Sequence, residues 1–168
     1  MTKLQRWMPA YIGVGSNLDD PERQVRAALD ALRELPDCQF VTDSPLYCNP
    51  PMGPQDQPDY VNAVAAVLTS LPPRAMLEAL QALENRLGRV RKDGDRWGPR
   101  VIDLDLLVYG NVLLEEPGLN LPHSGISERN FVLLPLCDIA PLLKVPGLGT
   151  VKTLAKQIDD GGLERIDT

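Results

Sequence analysis

The stretch that most strongly indicates the fold runs from Val101 to Tyr109 and reads Val-Ile-Asp-Leu-Asp-Leu-Leu-Val-Tyr. Its aliphatic and β-branched residues predict a strand, and the Gly110-Asn111 pair predicts the turn that follows it. Asp103 and Asp105 stand two residues apart, a spacing that puts both side chains on one face of a strand, with roughly 6.5 Å between their backbones. The stretch therefore predicts a strand that presents two carboxylates together.

The chain before this strand supplies two more strands and a helix. A strand rich in Val and Ala is predicted from Tyr60 to Leu68, with Tyr60 and Asn62 on one face, and a weaker strand over 40–48 precedes it. Pro73 can open the helix that follows, whose leucines form a buried stripe until Gly88 ends it. The second half of the pattern is therefore strand, strand, helix, strand.

The N-terminal part adds one strand and one helix. Tyr11 to Gly15 predicts a buried strand, and Asp20 caps a helix that begins at Pro21 and stops before Pro36. The order strand, helix, strand, strand, helix, strand favours an α+β fold, the ferredoxin-like split βαβ sandwich. We expect an antiparallel sheet with its helices on one side and the active site on the other, and a further helix over 128–139.

Length and composition predict one domain. The 168 residues, of which 43% are hydrophobic and 24% charged, are typical of a globular chain that can bury its own core. We divide the chain into a single catalytic domain over 10–158, an N-terminal extension over 1–9 and a polar tail over 159–168.

Charge and cysteine usage limit the partners. A formal net charge of -6 argues against a general binder of nucleic acid or of anionic membranes. The three cysteines form no CxxC pair and indicate reduced thiols. No segment provides the roughly 20 apolar residues of a membrane helix. We expect a cytoplasmic monomer that binds small molecules.

The paired carboxylates indicate a cation site. Magnesium prefers carboxylate and phosphate oxygens, and two-metal phosphoryl-transfer sites hold their ions about 3.5 to 4 Å apart. Asp103 and Asp105 fit such a site. The alternative is that both are solvated residues of a half-exposed strand.

The loop before the strand is basic. Residues 89–100 carry five cationic side chains, among them Arg89, Arg91 and Arg100. Guanidinium groups match phosphate oxygens in bidentate pairs. A solvated basic loop is the alternative, but the adjacent carboxylates favour a polyphosphate bridged by cations.

The remaining candidates each have two interpretations. His123 is the chain's single histidine, which excludes His-rich zinc sites, and it either contacts a phosphate or packs. Tyr60, Trp97 and Phe131 either stack on a flat heterocycle or fill the core. The amide of Asn62 either pairs with the amino-oxo edge of a heterocycle or bonds to backbone.

Several motifs occur together in one order. They are the Pro- and Gly-dense loop from Pro50 to Asn62, the Arg89-to-Arg91 and Arg96-to-Arg100 segments, and Asp103-Leu104-Asp105. Together they resemble the 6-hydroxymethyl-7,8-dihydropterin pyrophosphokinase family of folate biosynthesis, and the likeness runs from about Ala10 to Ala140. The resemblance implies transfer of pyrophosphate from ATP to the hydroxymethyl group of 6-hydroxymethyl-7,8-dihydropterin, with release of AMP.

The resemblance also implies roles for individual residues. Asp103 and Asp105 would bind two magnesium ions, with ATP as co-substrate. The catalytic residues would be Arg89, Arg91, Arg100, Asp103 and Asp105. The pterin site would comprise Asn49, Pro50, Met52, Tyr60, Asn62, Trp97 and Phe131. The ATP site would comprise Gln81, Glu84, Arg91, Arg100, Leu106, His123 and Arg129, with Gln81 and Glu84 on the polar face of the second predicted helix.

Two other functions are compatible with parts of this pattern. A two-metal phosphohydrolase would use the same carboxylates to deliver water to phosphorus. An RNA-binding module would use the same fold, although the acidic composition and the lack of an aromatic run typical of such modules argue against it. The nucleotide released with and without pterin separates the enzyme hypotheses.

Overall fold

The computed structural model of the protein describes residues 6–88 and 101–166. Its helices are α1 (Pro21–Arg33), α2 (Pro73–Arg86), α3 (Asn130–Ile139) and α4 (Val151–Gln157). Its strands are β1 (Met8–Ser16), β2 (Cys38–Asp43), β3 (Tyr47–Asn49), β4 (Tyr60–Thr69), β5 (Asp103–Tyr109), β6 (Leu114–Glu116), β7 (Leu119–Leu121), β8 (Lys144–Val145), β9 (Gly149–Thr150) and β10 (Glu164–Arg165).

The main sheet is antiparallel and has the order β10-β3-β4-β1-β5, with β2 also paired to β4. β2 and β3 share one edge of β4: β2 pairs with residues 65–69 and β3 with residues 60–62. Taking β2 and β3 as one interrupted strand gives the split βαβ order that the sequence predicts. The ferredoxin-like α+β fold is confirmed.

Local sequence explains where α1 begins. The side chain of Asp20 accepts a hydrogen bond from the backbone N–H of Arg23, and Pro21 occupies the first helical turn, where its missing N–H costs nothing. Val25, Leu29 and Leu32 lie on one stripe and are buried. This stripe fixes α1 against the sheet.

The helices cover both faces of the sheet. One core cluster joins apolar residues of β1, β4 and β5, such as Ile12 and Ala65, to α1 and α2. A second cluster joins Val64 of β4 and Leu107 of β5 to α3 and α4, represented by Leu133 and Val151. The prediction that helices lie on one side is right for α1 and α2 and wrong for α3 and α4. The reason is that β4 is apolar on both faces and needs cover on both.

A bulge in β5 adds side chains to the second core cluster. The register between β1 and β5 shifts after Tyr11, so that Tyr11 pairs with Val108 while Ile12 pairs with Leu106. The extra residue, Leu107, and Val108 both join the second cluster. The bulge therefore lets one strand supply two consecutive side chains to the core beneath α3.

The ends of the predicted domain differ from the structure. β1 begins at Met8, which pairs with Thr69, so residues 8 and 9 belong to the sheet and not to an extension. At the other end, residues 164 and 165 of the predicted polar tail form β10, which pairs with β3, and Ile166 packs against the first core cluster. Pairing with an otherwise open sheet edge explains this order.

The state of the cysteines and the length of the helices bear on two further expectations from the sequence. Cys38, Cys48 and Cys137 are all free thiols. Within 6–88 and 101–166, no helix combines the length and the apolar character that a bilayer crossing requires.

Candidate active site

Strand register places the two aspartates of β5 beside the two glycines of β1. Asp103 pairs with Gly15 and Asp105 with Gly13, across β5 and β1. Gly15 pairs in turn with Asn62 on β4. Asp103, Gly15 and Asn62 therefore form a row across three strands on the face that α3 partly covers. Both carboxylates are half-buried.

Glycine at position 15 is required by its neighbour. A Cβ atom there would lie 2.5 Å from Oδ1 of Asn62, closer than any two such atoms approach. Asn62 is 7% exposed, and its Oδ1 lies beside Gly15. The missing side chain at Gly15 is what makes this position available to the Asn62 amide.

A second amide fixes the orientation of Asn62. Nδ2 of Asn62 donates a hydrogen bond to Oδ1 of Asn49 at 2.6 Å, and Nδ2 of Asn49 donates to the carbonyl of Pro50 at 3.1 Å. These two linked hydrogen bonds fix the amide orientation, so that Oδ1 of Asn62 is the atom that lies beside Gly15. Asn62 keeps a carbonyl oxygen and one N–H beyond this bond, and these are the groups that could pair with an amino-oxo heterocycle.

These residues line an open cleft, and a cleft with apolar walls and a few polar groups is a typical place for a small molecule to bind. We call Asn49, Met52 and Gly53 the loop wall and Arg129, Phe131 and Val132 the helix wall. The floor and remaining lining are Gly13, Val14, Gly15, Tyr60, Asn62, Ala63, Asp103 and Asp105. The cleft thus brings together eight of the predicted site residues, namely Asn49, Met52, Tyr60, Asn62, Asp103, Asp105, Arg129 and Phe131.

Two aromatic residues, Tyr60 and Phe131, line the cleft. Tyr60 opens β4 and Phe131 lies in the first turn of α3, and both are half-buried. The guanidinium carbon of Arg129 lies 5.9 Å from the centre of the Phe131 ring. Met52, at 54% exposure, offers a flexible apolar side chain at the mouth. Pro50 is exposed beside the loop wall and is not among the lining residues.

His123 is held with its Nε2 edge toward the aspartates. The backbone N–H of Gly125 donates to Nδ1 of His123 at 3.1 Å, so a neutral ring carries its hydrogen on Nε2. Nε2 lies 3.9 Å from Oδ2 of Asp105. Burial, and then the positive charge of Arg129, lower the pKa of His123, while Asp103 opposes them. The imidazole is therefore a neutral donor beside the carboxylates.

Glu84 is placed differently from the prediction. Its side chain is 1% exposed, and its Oε2 accepts a hydrogen bond from the backbone N–H of Leu104 at 3.1 Å. The prediction that Glu84 lies on the polar face of its helix is wrong, because β5 is an edge strand of the sheet and its N–H needs a partner. Gln81, one turn earlier, is half-buried, and the side chain of Leu106 lies in the first core cluster.

The loop that carries Met52 is tied down at its end. Asn17 is fully buried after β1, and its Nδ2 donates to Oε1 of Gln57 and to the carbonyl of Pro58, both at 3.0 Å. Gln55 folds back on the same loop and donates to the carbonyls of Pro51 and Gly53. The loop between β3 and β4 is therefore braced from within and from β1.

Four predicted residues lie outside the described residues. They are Arg89, Arg91, Trp97 and Arg100. Their assignment to phosphates and substrate stays a prediction.

The two aspartates suit a cation that is completed by a ligand. Within 6–88 and 101–166, no group of three or more His, Cys, Asp or Glu side chains is arranged to hold a metal ion. Two carboxylates beside an open cleft leave the remaining coordination positions to phosphate and water, which is the ligand set that Mg²⁺ prefers. The residues present therefore fit magnesium carried with a polyphosphate.

Sequence reasoning missed several residues of the site. Gly53 and Val132 line the cleft, and Asn17 anchors the loop, but none was assigned a role. Gly13 and Gly15 enter the sequence analysis only as part of the strand predicted from Tyr11 to Gly15. These glycines stand two residues apart, as Asp103 and Asp105 do. This shared spacing is the signal that would have linked them to the aspartates.

Comparison with known proteins gives three results. Residues 11–141 match the family model described as 7,8-dihydro-6-hydroxymethylpterin-pyrophosphokinase (HPPK). The chain is 47% identical to the 2-amino-4-hydroxy-6-hydroxymethyldihydropteridine pyrophosphokinase of Pseudomonas aeruginosa over 156 residues, covering 93% of this chain and 95% of that one. It is also 47% identical to the Haemophilus influenzae protein of that name over 158 residues, covering 94% and 98%.

Solved structures show a related fold. The crystal structure of wild-type Plasmodium falciparum HPPK-DHPS with pteroate superposes with a TM-score of 0.76 at 13% identity, covering 100% of this chain and 47% of that one. The chain therefore spans about half the length of the structure it resembles. At this identity the match speaks for the fold alone.

Proposed function

The chain belongs to the 7,8-dihydro-6-hydroxymethylpterin-pyrophosphokinase family, and on that premise we propose that it transfers pyrophosphate from ATP to the hydroxymethyl group of 6-hydroxymethyl-7,8-dihydropterin. AMP is the second product. The reaction serves folate biosynthesis, and the enzyme is a magnesium-dependent diphosphokinase.

One observation carries the proposal. In the row of Asp103, Gly15 and Asn62, a carboxylate that can hold a magnesium ion with its phosphate lies across the intervening glycine from an amide that can pair with a heterocycle. Both open into one cleft, so the two substrates can meet there. Holding two reactants side by side can supply about 7 to 11 kcal/mol of a barrier.

The heterocycle is assigned to the end of the cleft between Tyr60 and Phe131. A flat ring between two aromatic side chains gains stacking on both faces. The Oδ1 and remaining N–H of Asn62 then pair with its amino and oxo groups, in the orientation that Asn49 sets. Asn49, Pro50 and Met52 close the side of the ring, and Trp97 is assigned to the same substrate.

The phosphates are assigned to the end that holds the aspartates. Asp103 and Asp105 would hold two magnesium ions, which supply charge neutralisation on the phosphate oxygens when bound. The Nε2–H of His123 lies near Asp105, and Arg129, whose positive charge acts on His123, is proposed to serve the same end. Arg89, Arg91 and Arg100 are proposed to add the guanidinium groups that grip the transferred phosphates. Gln81, Glu84 and the Leu106 backbone are proposed to serve the ATP side.

The bond changes are a single in-line displacement. The pterin hydroxyl oxygen forms a bond to the β-phosphorus, and the bond from that phosphorus to the oxygen bridging to the α-phosphate breaks. AMP leaves with that oxygen, and the hydroxyl proton is released, with Asp105 the side chain we place nearest to it. Alignment and charge neutralisation provide the rate acceleration, as in other phosphoryl transfers.

We propose that the enzyme works as a cytoplasmic monomer.

The test identifies the nucleotide product. The protein is incubated with ATP, Mg²⁺ and 6-hydroxymethyl-7,8-dihydropterin, and nucleotides are separated by chromatography. AMP that forms only when pterin is present supports the proposal. ADP and inorganic phosphate that form without pterin would instead identify a phosphohydrolase acting through the same carboxylates.

A further inference from the structure

The segment 159–166 contacts the helix wall of the cleft through Asn130. Asn130 stands between Arg129 and Phe131 at the first turn of α3. Its Nδ2 donates hydrogen bonds to the carbonyl of Asp159 at 2.9 Å and to that of Gly161 at 3.3 Å. One side chain thus joins the start of the helix wall to two points of a segment distant in sequence.

The same segment contacts the loop wall through Gly162. A Cβ atom at Gly162 would lie 3.3 Å from Cδ and 3.4 Å from Cγ of Pro50. Pro50 follows Asn49, whose oxygen orients Asn62. The Gly162 backbone therefore packs against the residue that carries the loop wall, at a distance that leaves no room for a methyl group without displacement.

Two more contacts fix the segment and the walls to the sheet. β10 pairs with β3 through Glu164 and Cys48 and through Arg165 and Tyr47, and Ile166 donates its N–H to the carbonyl of Leu46 at 2.8 Å. β3 leads directly into Asn49. The hydroxyl of Tyr47 also donates to the carboxylate of Asp138 on α3, a second link between the strand and the helix.

The segment is stiff enough to act as a spacer. The N–H of Gly161 donates to Oδ1 of Asp159 at 2.8 Å, and the N–H of Leu163 donates to the carbonyl of Asp160 at 3.1 Å. Gly162 has φ of 79°, as the turn requires. Two consecutive turns followed by a paired strand leave little freedom to stretch.

We propose that the 159–166 segment is a spacer that sets the distance between the loop wall and the helix wall, with Asn130 and Gly162 as positioning residues for the pterin. The inference rests on the proposed function. A ring held between two side chains requires a fixed separation, and a displacement of about 1 Å can cost up to 10²-fold in rate. The spacer touches neither ligand and acts through Phe131 and Asn49.

The first test removes the link to the helix wall. Asn130→Ala is compared with Asn111→Ala, which changes an exposed asparagine in the turn after β5. Pterin binding is titrated by fluorescence with Mg²⁺ and an ATP analogue whose α–β bridge is a methylene group. We expect the pterin Kd of Asn130→Ala to rise about tenfold, because the variant loses both hydrogen bonds that hold the helix wall to the segment. The pterin Kd of Asn111→Ala should stay unchanged.

The second test is designed to displace the loop wall. Gly162→Ala adds a methyl group against Pro50, and Gly147→Ala adds one at nearly the same φ, 77°, with its nearest neighbour 3.9 Å away. Both variants carry the backbone cost of a positive φ. We expect similar losses of thermal stability, a raised pterin Kd only for Gly162→Ala, and an unchanged Kd for the ATP analogue in both.

The possible outcomes distinguish a failure of the spacer proposal from a failure of the proposed function. A wild-type protein that binds the ATP analogue but no pterin contradicts the proposed function. A wild type that binds both, with pterin affinity unchanged in Asn130→Ala and Gly162→Ala, overturns the spacer and leaves the function standing. Equal losses of pterin affinity in Gly162→Ala and Gly147→Ala also overturn it, because they would trace the effect to stability alone.

Discussion

Gly15 and Asn62 face each other across β1 and β4, and the amide oxygen of Asn62 occupies the space where any other residue at position 15 would place its Cβ atom. The pair links a backbone requirement to a binding group. Asn49, on β3, completes the arrangement because its Oδ1 accepts the hydrogen bond from the amide of Asn62.

Gly15→Ala should therefore weaken pterin binding. The new methyl group would displace the Asn62 side chain and break its alignment with Asn49. We expect the KM for pterin to rise about tenfold or more, equivalent to about 1.4 kcal/mol, with the KM for ATP nearly unchanged. Steady-state kinetics with each substrate varied in turn measures the split.

Gly13→Ala is the matched comparison for that variant. It lies on the same strand face, and a Cβ atom there would meet the side chain of Leu107 at an ordinary 3.4 Å. We expect a smaller effect on the pterin KM. Equal effects from both variants would show that the Asn62 contact is not the cause.

Asp103→Asn and Asp105→Asn should each lower kcat by orders of magnitude. The neutral amide keeps the shape of the side chain but removes the negative charge that would hold magnesium and, through it, the phosphates. Circular dichroism should show an unchanged fold. Asp30→Asn, an exposed position on α1, is the control for a lost carboxylate, and normal turnover in both site variants would contradict the metal assignment.

Glu84→Ala should destabilise the fold. It leaves the buried N–H of Leu104 without its acceptor, which costs about 1 to 3 kcal/mol, and thermal unfolding measures the loss. Glu84→Gln keeps an oxygen acceptor and should lose less. A Glu84→Gln variant with unchanged Tm and a strongly raised KM for ATP would support the proposed role of the carboxylate on the ATP side, in addition to its bond to Leu104.

Tyr47 predicts a pH dependence of stability. Burial, and then the hydrogen bond to Asp138, raise the pKa of Tyr47 to about 12, above the usual value of about 10. A raised pKa in the folded state gives stability that is complete below about pH 10 and is lost as pH rises toward about 12.

The comparison variant for this effect is Tyr47→Phe, which lacks the ionisable hydroxyl. Its free energy of unfolding should be lower than that of the wild type at neutral pH, and the difference should shrink across that alkaline range. Denaturant unfolding at a series of pH values measures it. A difference that stays constant with pH would contradict the role of the Tyr47 hydroxyl.

Much of the site was predictable because it depends on short spacings. Asp103 and Asp105 share a face because alternate residues of any strand do so, and Tyr60 and Asn62 line one cleft for the same reason. The capping of α1 by Asp20 was also predictable, since the cap contacts the backbone only three residues away.

Other residues could not be assigned from the sequence. Glu84 has the composition and spacing of a surface residue, and only the neighbouring edge of β5 makes its burial favourable. The 159–166 segment is polar and glycine-containing, which is typical of a fraying tail, yet an unpaired edge at β3 gives its backbone hydrogen bonds a partner.

The sequence by itself determined the order of strands and helices, the shared face of the two aspartates and the family to which the chain belongs, because periodicity and motif spacing are properties of the local backbone. Only the tertiary structure decided that α3 and α4 cover the second face, that Asn49 and Gly15 orient Asn62, and that the 159–166 segment joins both walls of the cleft. These contacts join residues far apart in the chain, and which of them form depends on register and burial across the whole sheet.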